Sequence, residues 1–238
     1  MGIGQAVTFF EKTLKKVAIS PNPINTALYA KIIGSPSLIQ YSSRGGEVSK
    51  IVELECLCGA VKGKINVVPK SFFHVHCLCC DCQKFAAHLN NEENILDENG
   101  GSELFQTYPS LMEITEGQDK VCCVQLNQKG LYRWHTTCCN MPLANTMNSS
   151  KIPFVGVSVK LMKFANEQEK SEALGPVTMK AFGKYSIGDM PKGAHLRFPI
   201  SFMPKMLGFM LKGMIGGKNN PSPFFNGKEP AVIADVLS

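Results

Sequence analysis

Nowhere in the 238 residues does a run of apolar side chains approach the roughly 18 that a membrane-spanning helix requires, so the pattern excludes a transmembrane segment of that kind. Dense Lys/Arg tracts interleaved with aromatics are also missing, and the chain has a single tryptophan, Trp134. The net charge of +6 is concentrated at the ends: residues 1–50 hold six Lys or Arg against two Glu, and residues 191–238 hold six against Glu229 and Asp235. Without interleaved aromatics these ends read as solubilising charge rather than a nucleic-acid surface. The opening residues lack the charged start, apolar centre and small-residue site of a secretory signal. A cytosolic, reducing location is therefore expected, and with it metal ligation rather than disulfides for the cysteines.

Cysteine is what the chain does have. Four of its ten cysteines fall within residues 77–82, in His74-Val75-His76-Cys77-Leu78-Cys79-Cys80-Asp81-Cys82. Adjacent Cys79 and Cys80 are badly placed to bridge each other, whereas Cys77, Cys79 and Cys82 can turn three sulfurs to one point where a strand gives way to a turn. Such a cluster fits a soft metal, zinc above all. Three protein ligands leave a fourth position for water or substrate; Cys80, His74 or His76 in that position would close the site.

A second ligand set is split between two distant hairpins. Cys56 and Cys58 flank a turn in which Gly59 can take positive φ. His135 and Cys138 stand as a ligand-x-x-ligand pair some 80 residues on, with Cys139 able to replace either. Four donors from two knuckles make a closed, structural zinc site. Two zinc ions are thus expected. Cys122 and Cys123 lie on one strand with opposite orientations and read as small apolar residues.

Alternation of apolar and polar residues predicts strands over residues 51–56, 61–67, 72–76, 104–108, 111–115, 121–126, 131–136 and 154–159. Helical spacing appears at 5–18, 23–33, 82–88, 161–173 and 202–215; the last is Met-rich, with Met203, Met206, Leu207, Met210 and Met214 assigned to one side and expected to fold onto the core. Residues 41–47 read as a linker and 90–102 as a polar loop. The expected class is mainly β, with an N-terminal helical extension and linker at 1–47, a zinc-binding domain at 48–160 and a C-terminal extension at 161–238.

The order Cys56-x-Cys58-Gly59-x-Val61, then Cys77-x-Cys79-x-x-Cys82-Gln83-Lys84, then a ligand-x-x-Cys knuckle resembles the glutathione-dependent formaldehyde-activating enzymes and centromere protein V. The resemblance spans residues 51–147. It implies a β-tent of small antiparallel sheets, a structural zinc at Cys56, Cys58, His135 and Cys138, and a catalytic zinc at Cys77, Cys79 and Cys82. It also implies a carbon–sulfur lyase acting on a small thiol such as glutathione or its aldehyde adduct. His135 stands where the family has Cys, Cys139 where it has Gly, and Cys80 is extra. The alternative is a non-catalytic zinc module whose ends engage protein, membrane surface or nucleic acid; a redox sensor built on low-pKa thiolates is a third reading.

Overall fold

The structure is a computed structural model that describes residues 40–44, 47–68 and 72–237. The chain divides into two units, residues 1–37 and 38–238. The first unit, with the helices expected over 5–18 and 23–33, lies outside the described residues, and the account below concerns the second.

Two sheets carry the fold. The smaller is antiparallel in the order β1-β2-β3-β6, from Gln40–Arg44, Glu47–Glu55, Lys62–Val67 and Met112–Glu116. Residues 41–44, expected as linker, form part of β1, which pairs along β2 from Gln40 opposite Ile51 to Arg44 opposite Glu47. Their Ser-rich composition reads as a loop, but an unpaired strand edge offers backbone partners that composition does not reveal.

The larger sheet is mixed. Its centre is antiparallel, running β4-β5-β10-β9-β8-β7 through Phe73–Cys77, Ser102–Thr107, Val155–Ser158, Pro142–Thr146, Tyr132–Thr136 and Val121–Gln125. Residues beyond 160 supply both edges: β11, Met179–Ala181, runs parallel to β4, and β14, Asp235–Val236, parallel to β7. A small antiparallel pair, β12 (Phe225–Asn226) and β13 (Glu229–Pro230), completes the strands.

Alternation along these strands sorts the core. From the small sheet Val52, Leu54 and Ile65, with Val61 from the turn before β3, pack with Phe105, Trp134, Val155 and Val157 of the large one, all buried in one cluster. Trp134 Nε1 donates to Thr146 Oγ1 at 3.0 Å, so the indole is buried without losing its hydrogen bond.

The opposite face of the large sheet is covered by helix α1, Cys80–His88, with the short α2, Glu92–Ile95, inside the stretch expected as a loop. Phe85, Ala86, Leu89 and Ile95 form a second apolar layer there with Val124. Helix α3, Glu167–Leu174, is capped by Asn166 Oδ1, which accepts from Glu169 N at 2.9 Å.

Helix α4, Met203–Ile215, packs through Phe209, which stacks on Tyr108 with ring centroids 4.3 Å apart, and through Met206 and Met210. It does fold onto the core, but the five residues assigned to one side divide. Met203, Leu207 and Met214 are exposed, together with Leu211. Methionine spacing did not identify the buried stripe because Phe209 and Gly213 define it. None of the helices is long and apolar enough to cross a membrane among the described residues.

Candidate metal centres

Two cysteine groups converge, each where strands end. At the turn between β2 and β3, Cys56 N donates to Val61 O at 3.0 Å, Gly59 N donates to Cys56 O at 2.9 Å and Gly59 sits at φ +76. That tight turn aims the Cys56 and Cys58 sulfurs the same way, 3.6 Å apart. Val61 N also donates to Cys56 Sγ at 3.2 Å, the kind of backbone bond that stabilises a thiolate.

The turn between β8 and β9 delivers the other pair. Thr136 N donates to Met141 O at 2.9 Å and Met141 N to Thr136 Oγ1 at 3.1 Å, closing a knuckle that carries Cys138 and Cys139. Cys138 Sγ lies 3.8 Å from Cys56 Sγ and 3.9 Å from Cys139 Sγ. All four sulfurs fall within 4.8 Å of one another. Zinc–sulfur bonds of about 2.3 Å in a tetrahedron place sulfurs about 3.8 Å apart, so the donor set fits zinc.

Cys139 therefore stands where the sequence reading placed His135. The cause is strand alternation: His135 and Thr136 point to opposite faces of β8, and Thr136 Oγ1 is the group that lies 3.4 Å from Cys139 Sγ. His135 instead faces α1, edge-on to Phe85 at 6.1 Å, buried with Nδ1 unpartnered. Burial, with His88 nearby, holds its pKa below the ordinary value. Burial pushes Cys138 up to about 12; Cys139 falls to about 7 because hydrogen bonds from Thr136 and its neighbours outweigh its own burial.

The second group forms where β4 runs into α1. Cys77 closes the strand, Cys79 is the helix N-cap, and Cys82 lies one turn in; Cys82 N donates to Cys79 Sγ at 3.4 Å. The three sulfurs lie within 4.8 Å of one another. The positive end of the helix favours thiolate here. Hydrogen bonds from Cys77 and Cys79, reinforced by Arg133, lower the Cys82 pKa well below the usual value against its burial, while Cys77 is raised by the bonds it gives to Cys79 and Cys82.

None of the three residues able to close this group joins it. His74 Nε2 pairs with Glu103 Oε1 at 2.5 Å and its Nδ1 with Gly175 O at 2.9 Å; Glu103 also takes Lys170 Nζ at 2.9 Å. Those bonds outweigh burial and lower the Glu103 pKa to about 2. His76 Nε2 pairs with Asp97 Oδ2 at 2.5 Å. Cys80 turns toward Asp81 Oδ1, 3.8 Å away. Cys122 is half-buried and Cys123 buried, and burial lifts Cys123 to about 12.

Several neighbours of the second group were not legible as site residues. Gln83 Nε2 donates to Leu78 O at 3.3 Å, Gly100 O at 3.2 Å and Tyr185 O at 2.9 Å, tying two loops to α1. Arg133 is buried under α1, its guanidinium carbon 5.5 Å from the Phe85 ring centroid. The alternation of Arg133, Trp134 and His135 in the sequence marks a polar face on β8, but not that a helix covers it.

Comparison with known proteins adds little beyond kinship. No curated protein matches the chain. A crystal structure of a Rhodobacter sphaeroides protein, a structural-genomics target, is similar at 14% identity with a TM-score of 0.36, over 51% of this chain and 96% of that one. Residues 48–235 match the model of a family of unknown function, DUF6151, and the chain belongs to that family.

Proposed function

We propose that the chain holds two zinc ions, one structural at Cys56, Cys58, Cys138 and Cys139 and one at Cys77, Cys79 and Cys82 that receives a thiol, and that it acts as a carbon–sulfur lyase or thiol–aldehyde adduct enzyme. The observation that carries this reading is the incomplete second group: three converging sulfurs, with His74, His76 and Cys80 all engaged elsewhere. The sequence resemblance to glutathione-dependent formaldehyde-activating enzymes supplies the reaction class.

Zinc bound by three thiolates lowers the pKa of an incoming thiol and holds its sulfur as thiolate. The chain's own residues prepare that position. Cys79 caps α1 and so fixes its sulfur at the positive helix end, Gln83 anchors the surrounding loops, and Arg133 offsets negative charge that collects around Cys82. Addition of the thiol to an aldehyde forms one C–S bond and transfers the thiol proton to the carbonyl oxygen, with no redox change; the lyase direction is the reverse.

Native mass spectrometry of wild type and Cys79→Ser, with and without glutathione, tests the reading. Two zincs and a glutathione adduct that disappears in the variant are expected, followed by S-hydroxymethylglutathione turnover by NMR. Two zincs without any thiol adduct would move the assignment to a non-catalytic zinc module, which the exposed row of Met203, Leu207, Leu211 and Met214 on α4 favours as the second reading.

A further inference from the structure

Arg133 is 4% exposed, yet among the described residues its ion-pair partner is Asp81 Oδ2 at 3.9 Å, on a half-exposed side chain. Its bond from Nη1 to Asn145 Oδ1 is also long, at 3.5 Å. Burying a guanidinium is costly unless close partners restore what water gave it. Cys82, whose sulfur is hydrogen-bonded to the guanidinium, is its nearest anionic neighbour inside the fold; with five N–H donors on the fork, donors remain for a further group on the side that lines the adjacent space.

The space for one is adjacent. A cavity of about 20 Å³ lies between α1 and the large sheet, lined by Cys82, Arg133, Ser102, Asn145 and Ser158 among others. That is room for one or two water-sized groups. Its polar lining comes from four different strands. Register places Arg133 opposite Asn145, Asn145 opposite Gly156 and Gly156 opposite Gln106, so one cross-strand row runs from β8 to β5. Gly156 leaves that row open: a methyl there would meet only Phe154 Cζ at 3.8 Å and Asn145 O at 4.0 Å.

We propose that this cavity is an anion subsite of the three-cysteine centre, taking the carboxylate of an incoming thiol or thiol adduct on Arg133, with Asn145, Ser102 and Ser158 as its polar walls. The inference rests on the thiol reading given above for its substrate, but not for the anion site itself. A carboxylate fits where larger anions do not. Its two oxygens occupy two water-sized positions and match the planar guanidinium fork, whereas a phosphate brings four oxygens.

The test uses zinc-loaded full-length protein. [13C]Formate is titrated by NMR at constant ionic strength into wild type, Arg133→Met and Arg133→Lys, with zinc content and circular dichroism checked first. Affinities of 3-mercaptopropionate and 2-mercaptoethanol are then measured by calorimetry. Saturable formate binding is expected in wild type, weakened about tenfold or more in Arg133→Met. A preference of about tenfold or more for the carboxylated thiol is expected, lost in the variant because 3-mercaptopropionate affinity falls much further than mercaptoethanol affinity. Arg133→Lys, which keeps the buried charge but not the fork, should fold and lose most of the preference.

Absence of saturable formate binding in wild type, or equal affinity for the two thiols, overturns the subsite whether or not any variant folds. Formate binding with neither thiol bound overturns the thiol reading and leaves the anion site standing. Equal affinity for the two thiols does the opposite.

Discussion

At the scale of single residues, one substitution pair separates ligand from bystander. Cys139→Ser should reduce zinc to one ion per chain and lower Tm by roughly 5 °C or more, because the structural donor set loses a member. His135→Leu should keep both zincs and change stability by about 1 kcal/mol at most, since it removes a buried ring nitrogen that has no partner. Mass spectrometry and thermal unfolding read both. That contrast also shows where sequence reading stopped. The cysteine groups and the two knuckles were legible from spacing, but adjacent Cys138 and Cys139 and nearby His135 differ only in direction, which the β8 turn sets, so the reading that took His135 with Cys138 did not find the pairing with Cys139. Glu103 supplies a pH test of another kind. Its folded pKa of about 2 lies below the ordinary carboxyl value of 4.5, so the folded state binds fewer protons and the stabilisation is complete above pH 4.5. The advantage of wild type over Glu103→Gln, on the order of 3 kcal/mol, should shrink as pH falls from 4.5 toward 2 in urea titrations.

At the scale of elements, close approach decides which positions tolerate a side chain. Gly213 lies in α4, where alanine would gain about 1 kcal/mol of helix propensity. Its Cβ, however, would meet Tyr108 Cε1 at 2.5 Å and Pro153 Cγ at 2.7 Å. Gly213→Ala should therefore lower stability, by about 1–3 kcal/mol in denaturant unfolding, with α4 displaced from Phe72 and Tyr108. Gly101 carries a comparable constraint, since a methyl there would run into the His76 ring and disturb its pairing with Asp97. Most long strands were legible because one face meets the core and the other does not. β9 was missed for a clear reason: all five of its residues are buried, so Pro142–Thr146 shows no alternation. The three-residue β11 and two-residue β14 are too short to carry a period at all, and their place is fixed by the strand edges they join. Helix α1 was anticipated in its last two turns, while its start at Cys80 depends on Cys79 accepting a backbone hydrogen bond, which no periodicity encodes.

Across the whole molecule the two cysteine groups differ in what they join. Cys77, Cys79 and Cys82 sit within one strand-to-helix junction, whereas Cys56 and Cys138 are 82 residues apart and tie the small sheet's hairpin to the large sheet's. Chelation should accordingly have graded effects. Loss of the ion at the distant pair is expected to melt the contact between sheets, and loss of the local ion to leave most of the β structure in place, as read by circular dichroism against zinc release. This difference in span also has a consequence for biosynthesis. A chain emerging from the ribosome displays the three-cysteine cluster complete within six consecutive residues, able to take metal while most of the polypeptide is still unmade. The other site cannot close until Cys139 has been synthesised and the intervening segment has folded back, a loop whose closure must be entropically offset by the sheets it brings together. With zinc at both groups, as proposed, capture during translation should proceed in two stages, and the ion at the distant pair would act as a latch that records completed assembly of both sheets.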